Sequence, residues 1–231
     1  MQPYFMPYIG YWQLMSNVDI FVIYDDIEYT KNSWINRNRF LCNESSEIFS
    51  LPLKKDSDFL DICQRQLADT IQREKQKLLR RFEAAYRKAP HFEEGMILMN
   101  RILKYEKNNL FEFIYYSIIQ VHSALSIKSR LVVSSSLNIP REIKGQDRVI
   151  SICKELKATH YINPIGGLRL YDSNSFYEAG VQLFFQKVKP YTYMQFNHDF
   201  VPHLTIADLV MFKGNSGAQS YLSEMELLVG V

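Results

Sequence analysis

Short apolar runs and longer amphipathic segments alternate along most of the chain. Residues 19–24 form an apolar run rich in β-branched and aromatic side chains, which is typical of a buried strand. Similar runs predict further strands at residues 47–53, 61–67, 130–134, 160–162 and 181–186. Apolar spacing, caps and breakers predict helices at residues 11–17, 72–88, 92–105, 110–125, 146–156, 173–179, 205–212 and 216–222.

The order of these elements favours an α/β fold. After residue 130, strands and helices alternate with short links, which is typical of a parallel sheet. We therefore expect one α/β domain over residues 1–231, with a three-layer, mostly parallel, Rossmann-like sheet. The segment at about residues 70–126 is helical throughout and interrupts the alternation, so it is predicted to be an all-helical insertion.

Composition narrows the class of protein without deciding its function. An apolar content of 47% is ample for a core, and 27 basic against 25 acidic residues give a formal charge of only +2. Such a charge does not by itself indicate a nucleic-acid partner. Three widely spaced cysteines indicate neither a disulfide framework nor a zinc site, and no apolar run is long enough to predict a membrane span. A protein of the reducing cytoplasm is expected.

The first predicted strand ends in a dense group of polar side chains. Ligands of open α/β sheets bind outside the carboxyl ends of strands, so this group is the first candidate site. Asp25, Asp26 and Lys31 are the candidate catalytic residues, and ion-paired structure is the alternative. Because adjacent residues of a strand point to opposite faces, only one of the two carboxylates is expected in a given pocket. The candidate substrate contacts that follow are Trp34, Asn36, Arg37 and Asn38.

Two later segments carry further candidate substrate contacts. Lys144, Asp147 and Arg148 open a predicted helix, whose free amides and dipole suit a phosphate or carboxylate; ordinary capping is the alternative. A glycine pair after the strand at 160–162 lets the backbone approach a ligand, although a plain turn can use the same residues. The candidates there are Asn163, Gly166 and Gly167.

For the histidines, Asp208 and the basic residues of the helix at 72–88, the sequence favours structural roles. The five histidines lack metal-ligand spacing, so no metal site is predicted, and the cofactor is left open. Asp208 stands on an apolar helix and needs a partner, for which a basic residue at the sheet edge is expected. Basic residues of the helix at 72–88 are interleaved with acidic ones and predict a solvated face, with nucleic-acid binding as the alternative.

The N-terminal segment is a loop interrupted by Pro3, Pro7 and Gly10. A loop of this kind normally follows a strand that carries it to the sheet edge. Either a few residues upstream of Met1 are missing from the sequence, or the sheet is built without them.

Seven sequence blocks together resemble the WbqC-like family of bacterial proteins. In order along the chain, they lie at residues 2–4, 7–11, 19–26, 36–39, 86–90, 159–167 and 200–208. The resemblance implies a connection with surface-polysaccharide (O-antigen) synthesis and, for some members, transfer of an amino acid or acyl group to an aminosugar. The N-terminal loop adds four candidate substrate contacts, which are Gln2, Tyr4, Gly10 and Tyr11.

Three hypotheses follow for the function. The first is an enzyme that forms an amide between an activated acyl or aminoacyl donor and the amine of a nucleotide-linked or lipid-linked aminosugar. The second is a non-catalytic protein that binds a nucleotide-sugar or a partner of the glycan pathway. The third is nucleic-acid binding through the helical insertion. The expected partner is a small-molecule sugar nucleotide or acyl donor, and the oligomeric state is left open.

Overall fold

The structure, a computed structural model that describes residues 1–230, contains both strands and helices, which alternate from residue 130 onward. The strands are β1 (Ile20–Ile23), β2 (Arg37–Cys42), β3 (Ser45–Ser50), β4 (Arg130–Val133), β5 (His160–Pro164), β6 (Gln182–Val188) and β7 (Met225–Val229). The helices are α1 (Ile9–Ser16), α2 (Ile71–Tyr86), α3 (Phe92–Leu103), α4 (Leu110–Ala124), α5 (Gly145–Glu155), α6 (Ser173–Glu178) and α7 (Ile206–Gln219). No helix in this part of the chain has the length and apolar character needed to cross a membrane.

The strands form three small sheets. β1 pairs in parallel with β4, β2 forms an antiparallel hairpin with β3, and β5 pairs in parallel with β6, whose other edge carries the antiparallel β7. The mixed α/β class is thus confirmed, and both β1–β4 and β5–β6 have the predicted parallel sense. A single three-layer, Rossmann-like sheet is not confirmed, because a cleft of about 470 Å³ lies between β1 and β5.

Two strands were not predicted from the sequence. β2 begins with three consecutive polar residues, Arg37, Asn38 and Arg39, and this polar start concealed a strand whose Asn38 and Phe40 face the core. β7 is short and largely exposed, so it lacks the alternation of buried and exposed positions that identifies a strand. Conversely, the predicted strand at 61–67 is a 3₁₀ turn at Ile62–Gln64 with isolated bridges at its ends.

The helical segment follows the predicted order closely. α2, α3 and α4 succeed one another without an intervening named strand, with α2 packing on β2 and α3 on α7. The rings of Phe40, Phe82 and Tyr86 stack between α2 and β2, with neighbouring centroids 4.8 and 5.5 Å apart. That residues 70–126 are an insertion into the α/β domain stays a prediction.

The basic residues of α2 do not form one solvated face. Lys75 is buried, donates from Nζ to the Tyr105 carbonyl at 2.5 Å, and lies 4.2 Å from the ring centroid of Phe113. Burial lowers its pKa to about 8. Arg81 pairs with Glu47 on the β2–β3 hairpin. Part of the predicted surface therefore anchors α2 to its neighbours.

Gly214 bends α7 and explains why the sequence suggests two helices there. Its φ of 67° and ψ of 174° are non-helical, although the helical assignment runs through it. A Cβ at this position would lie 2.7 Å from Nδ1 of His91 and 2.9 Å from Oε1 of Glu94. Glycine is therefore required both by the backbone and by the close approach of α3.

Asp208 lies in the first turn of α7 and is fully buried. Its carboxylate accepts hydrogen bonds from the hydroxyls of Tyr86 at 2.7 Å and Tyr193 at 2.6 Å, and from the Gln195 amide at 2.8 Å. The Tyr86 hydroxyl in turn accepts from the backbone N–H of Leu41 on β2 at 2.8 Å. The expectation of a basic partner was wrong: neutral donors satisfy this carboxylate, which burial keeps less acidic than usual, with its pKa raised to about 6.

We expect Asp208→Asn to change how stability depends on pH. An ordinary aspartate has a pKa near 3.8, so the folded protein holds the proton more tightly than the unfolded chain between about pH 4 and pH 6. The contribution of Asp208 is therefore greatest below about pH 4, falls as pH rises to 6, and is constant above.

Urea unfolding of the parent and the variant at pH 4 and pH 7 measures this contribution. The stability difference between parent and Asp208→Asn should fall by about 2 kcal/mol from the lower to the higher pH. Asp199→Asn, an exposed change in the neighbouring loop, is the control. A difference that does not vary with pH would contradict the assigned pKa direction.

Candidate functional site

A pocket of about 180 Å³ opens between the N-terminal loop, β2 and the residues just before α7. Aromatic rings and a guanidinium dominate its walls. The lining residues are Tyr4, Pro7, Tyr8, Trp34, Asn38, Arg39 and His203. We call it the aromatic–arginine pocket.

Backbone hydrogen bonds fix the three segments that form this pocket. The carbonyl of Met6 accepts from the side-chain amide of Asn38 and from Oγ1 of Thr205, the latter at 2.8 Å. The Thr205 N–H donates to the carbonyl of Arg39, also at 2.8 Å. Segments far apart in the sequence are thus held in one geometry, and Asn38 serves as a positioning residue.

Two arginines flank the exposed indole of Trp34. The guanidinium carbons of Arg37 and Arg39 lie 5.1 and 5.0 Å from the centroid of the ring, within cation–π range. Both side chains leave β2 on the same face because they are two residues apart.

These two guanidiniums have no anionic partner among residues 1–230. Within residues 1–230, neither Arg37 nor Arg39 has a carboxylate oxygen within 4.0 Å, and the buried Nε of each has no hydrogen-bond partner. Arg148 and Arg81, in contrast, are ion-paired. Guanidiniums with unused donors beside an exposed aromatic ring form a site suited to a carboxylate or phosphate.

Tyr8 and His203 form the opposite wall. Their rings meet edge to face with centroids 5.6 Å apart. The hydroxyl of Tyr8 lies 2.5 Å from the point that a Cβ on Gly10 would occupy, so glycine is needed for the phenol to lie over the start of α1. Burial raises the pKa of Tyr8 and of Tyr4, which keeps both phenols neutral and able to donate a hydrogen bond.

The other predicted residues of the N-terminal loop support the pocket from behind. The Tyr4 hydroxyl donates to Oε1 of Gln2 at 3.1 Å, and the Tyr11 hydroxyl donates to the carbonyl of Gln2 at 3.2 Å. Tyr11 is buried in the core. Asn36 is also committed to structure, since it accepts from the Tyr29 hydroxyl and donates to the Leu51 carbonyl, both at 2.8 Å.

The predicted catalytic carboxylates lie in a separate cluster at the ends of β1 and β4. Asp25 accepts hydrogen bonds from Ser134 Oγ at 3.0 Å, the Ser135 N–H at 2.9 Å and Ser135 Oγ at 2.7 Å. Asp26 accepts from Ser134 and forms an ion pair with Arg148, and both of these side chains are buried. Contrary to the expectation of opposite directions, both carboxylates meet Ser134, because β1 has ended at Ile23.

The remaining candidates are dispersed. Lys31 pairs at the surface with Asp58, 2.7 Å away. Lys144 and Asp147 are exposed at the start of α5, which begins where predicted.

The glycine-pair segment is closed by its own contacts. Asn163 accepts from the Tyr161 hydroxyl and donates to the Pro164 carbonyl, each at 3.1 Å. A Cβ on Gly167 would lie 1.9 Å from Nδ2 of Asn163, whereas Gly166 is open to solvent. In the part of the chain that the structure describes, no three metal-ligating side chains come together in a way that could hold an ion.

The aromatic–arginine pocket thus includes three predicted residues and four that the sequence did not single out. Tyr4, Trp34 and Asn38 line it, with Arg37 beside Trp34. The residues missed are Pro7, Tyr8, Arg39 and His203. Recognition of β2 as a strand would have placed Arg39 on the face of Arg37, whereas no local signal brings His203 to Tyr8.

The fold and this pocket define a mixed α/β protein with a cationic, aromatic pocket. The chain belongs to the WbqC-like protein family, whose model matches residues 2–220, and the predicted family is thereby confirmed. A protein of Mycobacterium tuberculosis (strain ATCC 25618 / H37Rv), named Uncharacterized protein Rv1507c, is 27% identical over 223 residues. The match covers 96% of this chain and 95% of that relative. No solved structure gives a significant match.

The contacts of Asp26 predict a structural effect of its substitution. Asp26→Asn should leave the buried Arg148 without a counter-charge and lower the free energy of unfolding by about 3 kcal/mol. Asp58→Asn, which breaks the exposed pair with Lys31, should cost less than about 1 kcal/mol. Chemical denaturation at pH 7 compares the two variants. Equal stabilities would show that the Asp26–Arg148 pair does not support the fold.

Proposed function

We propose that the aromatic–arginine pocket binds an anionic sugar derivative. The observation that carries this proposal is the pair of guanidiniums, Arg37 and Arg39, which lack carboxylate partners within residues 1–230 and flank the half-open ring of Trp34. Guanidiniums recognise phosphate or carboxylate oxygens by paired hydrogen bonds, and a flat aromatic surface accepts the apolar face of a sugar ring.

The size of the pocket indicates which part of the ligand enters it. A volume of about 180 Å³ is smaller than the ~300–1,000 Å³ of sites that enclose a drug-sized molecule. It suits one sugar ring with its attached anionic group, and the rest of a nucleotide-sugar or lipid-linked sugar would lie outside. Membership of the WbqC-like family supports a sugar of bacterial surface-polysaccharide (O-antigen) synthesis, in the cytoplasm, as the ligand class.

The reaction we propose is transfer of an acyl or aminoacyl group to an amine of that sugar. The amine nitrogen attacks the carbonyl carbon of an activated acyl donor, the bond to the leaving group of the donor breaks, and one amine proton passes to a base. His203 lines the pocket, and imidazole is the side-chain group that most often serves as a general base. It is the preferred base, since Asp25 and Asp26 lie outside the pocket lining and are satisfied by serines and Arg148.

Non-catalytic binding of the same ligand is the alternative. Two features of the pocket favour this alternative. No carboxylate among residues 1–230 lines the pocket, and the side chain of Asn38 is already hydrogen-bonded to backbone groups. Nucleic-acid binding through the helical segment gains no support, because Lys75 and Arg81 are engaged inside the protein or with Glu47.

Arg39→Ala should weaken binding of a UDP-linked aminosugar at least about tenfold, which corresponds to one lost charge-assisted interaction. Calorimetric titration measures the dissociation constant, and Arg37→Lys tests whether charge alone suffices in place of the planar fork. Arg73→Ala on the exposed face of α2 is the control with the same loss of charge. Equal affinities of Arg39→Ala and Arg73→Ala would refute the anion site.

His203→Gln should separate binding from transfer. The dissociation constant of the aminosugar should stay within about threefold, whereas formation of the amide product, followed by mass spectrometry with an acyl thioester donor, should fall by about 10²-fold or more. Binding without product in the parent protein would favour the non-catalytic alternative. Product formed at the parental rate by the variant would exclude His203 as the base.

A further inference from the structure

Arg65 is a buried arginine that directly follows the 3₁₀ turn at Ile62–Gln64. Only 5% of its surface is exposed, yet within residues 1–230 no carboxylate oxygen lies within 4.0 Å of its guanidinium. Arg148, with 6% exposed, is equally buried but has Asp26 as its counter-charge. Burial of a cation without an anion destabilises a fold, so packing alone does not explain an arginine at this position.

The protein uses few of the hydrogen-bond donors of Arg65. Within residues 1–230, its single hydrogen bond runs from Nη1 to the carbonyl of Ser57 at 2.8 Å, and the buried Nε has no partner. The guanidinium carbon lies 4.9 Å from the centroid of the Tyr29 ring, within cation–π range. Because a guanidinium carries five N–H donors, most of those of Arg65 remain for another acceptor.

Two further cations lie around the hydroxyl of Tyr29. This hydroxyl donates to Oδ1 of Asn36 at 2.8 Å, and Arg37 is the next residue along the chain. Burial raises the pKa of the phenol, and the positive charges of Arg65, Arg37 and Lys31 each lower it. Three cations from different parts of the chain thus surround one phenol.

The loop at residues 54–59 supplies the protein acceptors for two of these cations. The Ser57 carbonyl accepts from Arg65, and the carboxylate of Asp58 pairs with Lys31 at 2.7 Å. The loop is exposed at every position and belongs to no helix or strand. A neutral carbonyl and a solvent-screened carboxylate are weak competitors for a cation, so an external anion can exchange with both.

We propose that Arg65, Arg37 and Lys31 form a second anion subsite, which takes the diphosphate that links the sugar of the aromatic–arginine pocket to its carrier. Arg37 connects the two sites, because its guanidinium carbon also lies 5.1 Å from the centroid of the Trp34 ring in the pocket. The sugar part of this ligand rests on the function proposed above, whereas the subsite itself can be tested without a sugar.

The balance of charge supports a diphosphate as the ligand. Three cations and the one carboxylate of Asp58 leave an excess of two positive charges around Tyr29. A diphosphate substituted at both ends carries two negative charges, and guanidiniums bind phosphate oxygens through paired hydrogen bonds. The small volume of the aromatic–arginine pocket, about 180 Å³, also requires that the linking group lie outside it.

The first test uses inorganic pyrophosphate and the variant Arg65→Met, which keeps an unbranched apolar stem and removes the charge. Calorimetric titration should show affinity for pyrophosphate at least about tenfold weaker than that of the parent. The melting temperature should be unchanged or higher, since no protein anion compensates the charge that is lost. Arg80→Met, an exposed change on α2 with the same loss of charge, is the matched control.

Lys31→Ala provides a second variant that does not disturb the core, because this side chain is exposed. It should weaken pyrophosphate binding by about threefold or more, as expected for the loss of one solvent-screened cation. This variant keeps the test decisive if Arg65→Met folds poorly.

Two sugar ligands then identify the carrier. One is an aminosugar linked through diphosphate to uridine, and the other is the same sugar linked through diphosphate to farnesol. The natural carrier is the one whose ligand loses at least about tenfold in affinity in Arg65→Met relative to Arg80→Met. Arg39→Ala should weaken the sugar ligands more than pyrophosphate, so a failure of the sugar pocket is observed separately from a failure of the subsite.

Two results would overturn the proposal. The first is pyrophosphate affinity in Arg65→Met and Lys31→Ala equal to that of Arg80→Met; with a lower melting temperature, Arg65 would then be a structural anchor for Ser57. The second is that neither pyrophosphate nor either sugar diphosphate binds measurably to the parent protein.

Discussion

The buried carboxylate of Asp208 is the interaction on which the arrangement around the pocket depends. A charge taken out of water must be satisfied locally, and here the hydroxyls of Tyr86 and Tyr193 and the amide of Gln195 satisfy it. Through Tyr86, the same network reaches the backbone of Leu41 on β2. The start of α7, the end of α2, β2 and the loop before α7 are thereby fixed together.

The charged side chains around this junction differ in whether the protein itself supplies their partners. The buried carboxylates of Asp208, Asp25 and Asp26 each accept hydrogen bonds from other parts of the chain. Arg37 and Arg39 project from the outward face of β2 toward Trp34 without an anion from residues 1–230. The functional proposal rests on that contrast, because a rigid frame with unused guanidinium donors is prepared for an external anion.

The rule that ligands bind at the carboxyl ends of strands located a polar cluster, but not the pocket. Asp25 and Asp26 do follow β1, yet the loop after β4 supplies Ser134 and Ser135, which turn both carboxylates into structure. Trp34 and Arg37 were found because their residue types are distinctive. His203 was missed because it meets Tyr8 from a distant part of the sequence, which no local pattern encodes, whereas Arg39 was missed because β2 was not recognised as a strand.

The sequence by itself determined the family, the mixed α/β class and most of the helices and strands, because hydrophobic periodicity and breakers act locally. Tertiary structure decided which strands pair and which polar side chains remain unused. Those outcomes depend on burial and on hydrogen bonds between distant segments, such as Thr205 with Met6 and Arg39. A polar residue in the sequence is a candidate ligand contact until the fold shows whether another part of the chain has already satisfied it.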